Sequence, residues 1–480
     1  MGRFTAVAIL SVVVTVFLSA PPAIPLARSQ EQTIAITNGR VFDATGAPVI
    51  EDGVVVIEGE RVVAVGPAGQ VVIPAGALII DVRGGLIMPG VIDNHMHLEG
   101  GRLVQDDYLT PWLEAGVTTL VNNGLLRDGA VLANGLVIDD GVDFLRVIVE
   151  GLTKHPPRML LAGPILTAPG GYPSQNANEL QAQAAQFVDG PDDARSRVVR
   201  LIDEQGVDLI KVAIEAGGER DLDNPVLPVL DMDTLSAIVD ATHERGLTAR
   251  AHVTNEGELL AAIDAGFDVA AHTPFFSLED EVLERALDAG MILVSTANIW
   301  GNTRGPVAAD NVARYVALGG RAALGTDFPF QAGSEMPVKE MQLLVGGGLT
   351  PEQVLIAATR DSAAAVGREH DLGTLEPGKL ADVIVVDGDP LSNVADMANV
   401  TLVLLEGEIV PRPSVLAPVG DANCDFTVSS IDAALILQHG AGLLAELVCV
   451  QQADVDASGE VDAVDAALVL QFVAGLLEEL

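Results

Sequence analysis

Between Val91 and about Arg368, short apolar runs alternate with longer helical stretches. The runs read GVTTLVNN, VDLIKVAI, LTARAHV, DVAAHT, MILVSTA and AALGTD. Short apolar strands separated by amphipathic helices are the pattern of βα units around a parallel sheet. About 280 residues of such a pattern suits a (β/α)8 barrel. The flanks differ. From Thr33 to Ile80, Val/Ile-rich runs broken by Gly and Asn predict strands and tight turns, as in IAITNGRVFD and GVVVIEGERVVAVG. The same pattern resumes at Gly373, in LGTLEPGKLADVIVVDGDP and VTLVLLEGEIV. The expected fold is α/β: a (β/α)8 TIM barrel with a split β-sandwich module, plus a small C-terminal all-α domain. The expected boundaries are 30–88 and 371–412 for the two halves of the β-sandwich module and 89–370 for the barrel. Residues 413–420 form a Pro-marked linker, and 421–480 form the last domain.

Composition narrows the function. Hydrophobic residues make up 49% of the chain, too many for disorder. Asp and Glu number 67 against 26 Lys and Arg, a net charge of −41. That balance excludes a nucleic-acid partner, because a phosphate backbone needs basic patches. Residues 1–29 read as an export signal: Arg3 is followed by the apolar run Ala6 to Ala20, and Ala27-Arg28-Ser29 offers a cleavage site. The run is too short for a comfortable membrane span, so no membrane association is expected beyond the signal. The expected location is secreted or cell-surface, outside the cytoplasm. Two cysteines allow one bridge there.

The chain ends in a duplication. DANCDFTVSSIDAALILQHGAGLL begins at Asp421, and DVDASGEVDAVDAALVLQFVAGLL begins 33 positions later at Asp454. Each copy opens with oxygen donors at calcium-loop spacing. Loop one offers Asp421, Asn423, Asp425, the Thr427 carbonyl, Ser429 and Asp432. Loop two offers Asp454, Asp456, Ser458, the Glu460 carbonyl, Asp462 and Asp465. A hard cation such as Ca2+ takes six or more oxygens from a turning loop, and these positions supply them.

This module resembles a dockerin type I domain, a paired loop-helix module. The resemblance implies calcium binding and docking to a cohesin-like protein partner. One departure stands out: Phe426 sits where the sharp turn usually takes Gly, whereas Gly459 keeps the turn in loop two. Loop one is therefore expected to be strained or weaker. Cys424 and Cys449 are expected to bridge the halves of the module; two buried thiols are the alternative.

In the barrel region, His95-Met96-His97 closes the run GGLIMPGVIDNHMH. Residues i and i+2 of a strand face one side, so the two imidazoles point together. A barrel places its active site at that end of its strands. Lys211 lies inside a strand-like run, in a chain with only three other lysines. A buried lysine is costly unless neutralised or modified. His252, His272 and Asp327 each end a later apolar run. Singly these are ordinary residues. Together they fall on successive strands and predict a metal centre. His155, His243, His370 and His439 fit no such pattern.

With PGVIDNHMHL, LEAGVTTL, GPILTAPGGYP, VDLIKVA, HVTNEGELLAAIDAGFDVAAHT and ALGTDFP, the chain resembles the amidohydrolase superfamily. The resemblance is to its imidazolonepropionase-like and prolidase-like branch, over about residues 33–410. It implies two divalent metal ions, with zinc favoured on ligand grounds. His95, His97 and Asp327 would hold one ion and His252 and His272 the other. Lys211, carboxylated by CO2, would bridge them. The implied activity is metal-dependent hydrolysis of a small-molecule amide by a metal-bridging hydroxide, with Asp327 as the proton-transfer residue. Dipeptides (Xaa-Pro dipeptidase-like), N-acyl amino acids and cyclic amides are the leading substrates. An esterase, lactonase or phosphotriesterase on the same centre, or an idle surface docking protein, are the alternatives. Tyr172 stands where many relatives carry His, and Arg250 is a candidate for a substrate carboxylate or for a barrel-lining ion pair.

Overall fold

The computed structural model describes residues 32–98, 106–131, 136–150, 152, 156–176, 179–217, 226–329, 335–412, 414, 416–477 and 480. The export signal over 1–29 lies outside the described residues, as does His155. Among the described residues, no helix is long and apolar enough to cross a membrane.

The barrel wall consists of the strands Val91–Met96, Val117–Asn122, Arg158–Leu161, Ile210–Ala213, Ala249–His252, Val269–Ala270, Ile292–Ser295 and Arg321–Leu324. The pairings within this wall are parallel. Short extra strands, Ile165–Thr167 and Ala185–Phe187, extend the wall beyond its third position. The ring closes where Met96 bridges Phe328 and the His97 N–H donates to the Phe328 carbonyl at 2.8 Å. Both faces of these strands are covered, so they read as continuous apolar runs rather than alternating ones. Every residue of Val91–Met96 and of Val117–Asn122 is buried.

The helices between strands start on side-chain caps. Asp231 accepts from the Thr234 N–H, and Asn255 accepts from the Glu258 N–H. Such caps satisfy donors that the first helical turn leaves open, each contributing about 1 kcal/mol.

The β module is one eight-stranded sheet built from both ends of the chain. Val383–Val386 pairs antiparallel with Leu86–Pro89, joining the halves. One apolar cluster takes Ile34, Ile36, Val55 and Ile57 from the first half, and Val383, Val385, Leu402 and Leu404 from the second.

The C-terminal module carries two equivalent helices, Ser430–Gly440 and Ala463–Val473. Its core is Ala422, Ala433, Ile436, Ala453, Ala466 and Val469. The segment expected to be a linker is seated: Leu416 packs on the sheet module's cluster, and Ala417 packs on Cys424 and Cys449. Those two cysteines form a disulfide with a Cα separation of 5.6 Å. Phe426 also joins the sheet module's cluster, so loop one is anchored outside its own module.

Candidate functional site

Strand ends bring the candidate ligands to one mouth of the barrel. His95 lies within its strand and His97 just beyond it, and their Nε2 atoms are 3.3 Å apart. Asp327 Oδ1 lies 3.3 Å from His97 Nε2 and 3.6 Å from His95 Nε2. His272 lies against two of its neighbours, its ring 4.3 Å from His95 and 4.6 Å from His252, centroid to centroid. Lys211, His97, His252, His272 and Asp327 line one small cavity of about 20 Å³, with Ile165, Tyr172, Pro173 and Gln181. That volume has room for a water or an ion. A larger cleft of about 500 Å³ is lined by Ala115, Asn298, Thr326, Ala398 and residues between Glu335 and Gln342. It contains none of the candidate ligands.

Two candidate ligands carry backbone strain. Asp327 has φ 53° and His272 has φ 148°, conformations that side-chain-bearing residues rarely adopt. Each costs on the order of 1–3 kcal/mol and persists only where its surroundings enforce it. Gly325 shows the enforcement: a Cβ there would lie 2.7 Å from the His95 Cβ. The close approach lets the Asp327 N–H donate to the His95 carbonyl at 2.6 Å.

The electrostatics suit a cation. Burial, then the charge of Arg250, holds the Lys211 ammonium well below the usual lysine range. Burial likewise holds His95 and His272 well below the usual histidine range, so both are neutral imidazoles with a lone pair available. Lys211 Nζ and Asp327 Oδ1 are buried without a hydrogen-bond partner. Such atoms cost about 1–3 kcal/mol each when unsatisfied. A divalent cation, with a carboxylated lysine, would satisfy this donor set, so the residues fit the metal group.

Three buried carboxylates were not anticipated from sequence. Asp93 accepts from the N–H groups of His95 and Thr326 and from the Thr326 hydroxyl, tying the first strand to the last. Glu258 accepts from Ala216 N–H at 2.8 Å and Thr254 N–H at 2.6 Å. Glu340 accepts from Ser295, Ala297 and Asn298. Burial raises Asp93 and Glu258 to about 7. Glu258 and Glu340 sit in the first turns of helices, where acidic residues are commonplace, so sequence carried no signal. Asp93, two positions before His95 inside an apolar strand, did carry one. Glu215 is a fourth omission: its Oε2 lies 2.8 Å from His252 Nε2.

Arg250 must be corrected. It faces the barrel interior, as its two-residue offset from His252 requires, but one layer below the mouth. It is fully buried, and its guanidinium donates to the carbonyls of Asn94 and Ala365 and to the side chains of Asn94 and Asn123. Its guanidinium thus braces one strand carbonyl, of Asn94, and one helix carbonyl, of Ala365, rather than a carboxylate. Tyr172 is at the cavity, its ring stacked 4.5 Å from that of His252. His243 pairs with Asp268 on the surface, away from the mouth.

The C-terminal loops share one hydrogen-bond pattern. Asp421 accepts from Asp425 and Phe426 N–H, and Asp454 accepts from Ser458 and Gly459 N–H. Asp432 and Asp465 accept in turn from Ser429 and Asp462 N–H. Asn423 and Asp456 accept from the N–H two residues on. Asp425 accepts from the Thr427 N–H, and Ser458 Oγ accepts from the Glu460 N–H and also donates to the Glu460 carbonyl. Carboxylate oxygens of Asp454, Asp456 and Asp465 lie within 4.8 Å of one another. Burial, followed by crowding from Asp425 and Asp432, raises Asp421 to about 6. A bound cation would reverse that shift. Phe426 and Gly459 share a left-handed backbone, φ 63° and 88°.

The amidohydrolase family model matches residues 86–410, and the dockerin type I domain model matches residues 419–474. Ochratoxinase from Aspergillus niger is 26% identical over 379 residues, covering 69% of this chain and 76% of that protein. Imidazolonepropionase from Symbiobacterium thermophilum is 27% identical over 356 residues, covering 64% and 76%. A solved Xaa-Pro dipeptidase with methionine in its active site superposes with a TM-score of 0.64 at 21% identity, over 79% of this chain and 99% of that one. At that identity the likeness speaks for the fold.

Proposed function

This chain belongs to the amidohydrolase family and carries a dockerin type I domain, and from that premise we propose a secreted hydrolase of a carbon–nitrogen bond in a dipeptide, N-acyl amino acid or cyclic amide. The carrying observation is the convergence of Asp327 Oδ1 on the Nε2 atoms of His95 and His97, at 3.6 and 3.3 Å, with Lys211 in the same cavity. Proteins of this superfamily bind divalent metals. His95, His97 and Asp327 would hold one ion and His252 and His272 the other, with Lys211 between them; zinc suits these donors. When bound, such ions lower the pKa of a water and polarise a carbonyl.

The chain's own residues do the rest. The neutral Nζ of Lys211 would attack CO2, forming an N–C bond as one C=O π bond breaks and its electron pair passes to oxygen. The nitrogen would release one proton to water, which converts a buried amine into an anionic oxygen donor. Asp327 takes a proton from the attacking water and delivers it to the leaving nitrogen as the C–N bond breaks. Tyr172 and Pro173 line the same cavity. At the C-terminus, the two loops would each take Ca2+, and the module would dock a cohesin-type partner outside the cytoplasm.

Elemental analysis of the purified protein, with a panel of dipeptides, N-acyl amino acids and esters, tests the reading. Two divalent ions and amide turnover are expected. Metal-free protein, or loaded protein that cleaves only esters, would overturn it.

A further inference from the structure

We infer that Glu215 is the positioning residue for His252, gripping one edge of its imidazole so that the other edge faces the metal cavity. This rests on the metal centre proposed above. Lys211 and Ala213 pair in register with Arg250 and His252 on neighbouring strands. Two residues past that register, Glu215 reaches back and places Oε2 at 2.8 Å from His252 Nε2. The pair is sheltered, with side chains 15% and 7% exposed. Glu215 is not among the side chains lining the cavity, so it acts through His252.

The surroundings hold this contact in place. Glu258 accepts at one oxygen from Ala216 N–H, directly after Glu215, and at the other from Thr254 N–H, two residues after His252. One buried carboxylate thus ties together the two strand ends that carry the pair. Tyr172 stacks on one face of the His252 ring at 22° between planes, and His272 meets it edge-on at 83°. These rings set the imidazole plane, and Glu215 sets its rotation within that plane.

The chemistry follows from the two ring nitrogens. A carboxylate at Nε2 favours the tautomer that carries the proton there and leaves the Nδ1 lone pair to ligate. His272 shows the complementary arrangement: its Nδ1 bonds the Thr296 hydroxyl at 2.8 Å, leaving Nε2. The carboxylate partner makes His252 the stronger donor of the two.

Full-length protein titrated with Zn2+ against a competing chelator tests this, with cobalt-substituted absorption as a second readout. Glu215→Ala is expected to weaken one of two ions by about 10- to 100-fold and to spare the other. Glu215→Gln keeps an acceptor oxygen and is expected to recover affinity to within a few-fold, with an unchanged cobalt spectrum. If the alanine protein does not fold, Glu215→Asp, one methylene shorter, is expected to show the same selective loss. Unchanged affinity in the alanine or aspartate protein overturns the inference. So does a glutamine variant that loses the ion fully with an altered cobalt spectrum, since that marks a direct ligand. Wild-type protein that takes no metal defeats the metal centre itself, a separate result.

Discussion

The barrel mouth and the C-terminal loops both gather ligand-type side chains, from very different lengths of chain. In loop two, Asp454 accepts from a backbone N–H four residues away, and the whole set fits between Asp454 and Asp465. At the mouth, Asp93 reaches Thr326 across 233 positions to hold His95 and Asp327 together. A loop site is therefore a local object that residue spacing can build. The barrel site exists only once the ring has closed. The loops also differ from each other: Phe426 buries its ring in the sheet module, whereas Gly459 leads into open space.

The largest expected effect is at the mouth. Asp327→Asn should lower kcat/KM about 10³-fold while much of the metal stays bound, because proton transfer is worth roughly that factor. A rate within tenfold of wild type removes Asp327 from the chemistry. Asp454→Ala should halve calcium uptake measured by calorimetry and leave hydrolysis unchanged; a fall in hydrolysis would merge the two regions. Phe426→Ala should cost about 2 kcal/mol in the thermal unfolding of the sheet module, the value of burying such a ring. If the loss stays within the C-terminal module, the anchoring contact is wrong.

Glu258 sharpens the barrel side through pH. Its folded pKa, about 7, lies above its ordinary 4.5 because of burial. Its contribution to stability is full below about pH 4.5 and is lost as pH rises through 7, since the unfolded chain ionises first. Apo-protein melts between pH 5 and 8 should fall with pH, and Glu258→Gln should flatten that slope. The smallest effect is Gly459→Ala, which should cost about 1 kcal/mol for a Cβ in a left-handed turn. A stabilised module would show that the turn does not need glycine.

Much of the site was legible because its signals are local. His95-Met96-His97 needs only strand alternation, and the run-ending positions of His252, His272 and Asp327 need only the barrel rule. Arg250 was misjudged for a physical reason. Alternation gives the side of a strand but not the depth, and one layer of depth separates a substrate contact from a brace on carbonyls. Glu215, Glu258 and Glu340 were missed because an isolated acidic residue looks the same whether it is solvated or buried.

From sequence alone came the alternation that makes a parallel barrel, the two strand-rich flanks, and the twelve loop donors repeated 33 positions apart. Each of these depends on neighbours within a few residues. Tertiary structure alone decided that Asp327 meets His97, that Glu215 grips His252, and that Phe426 roots the first loop in the sheet. Those contacts join segments far apart in the chain, and burial and ring closure, which no local pattern encodes, set which atoms meet.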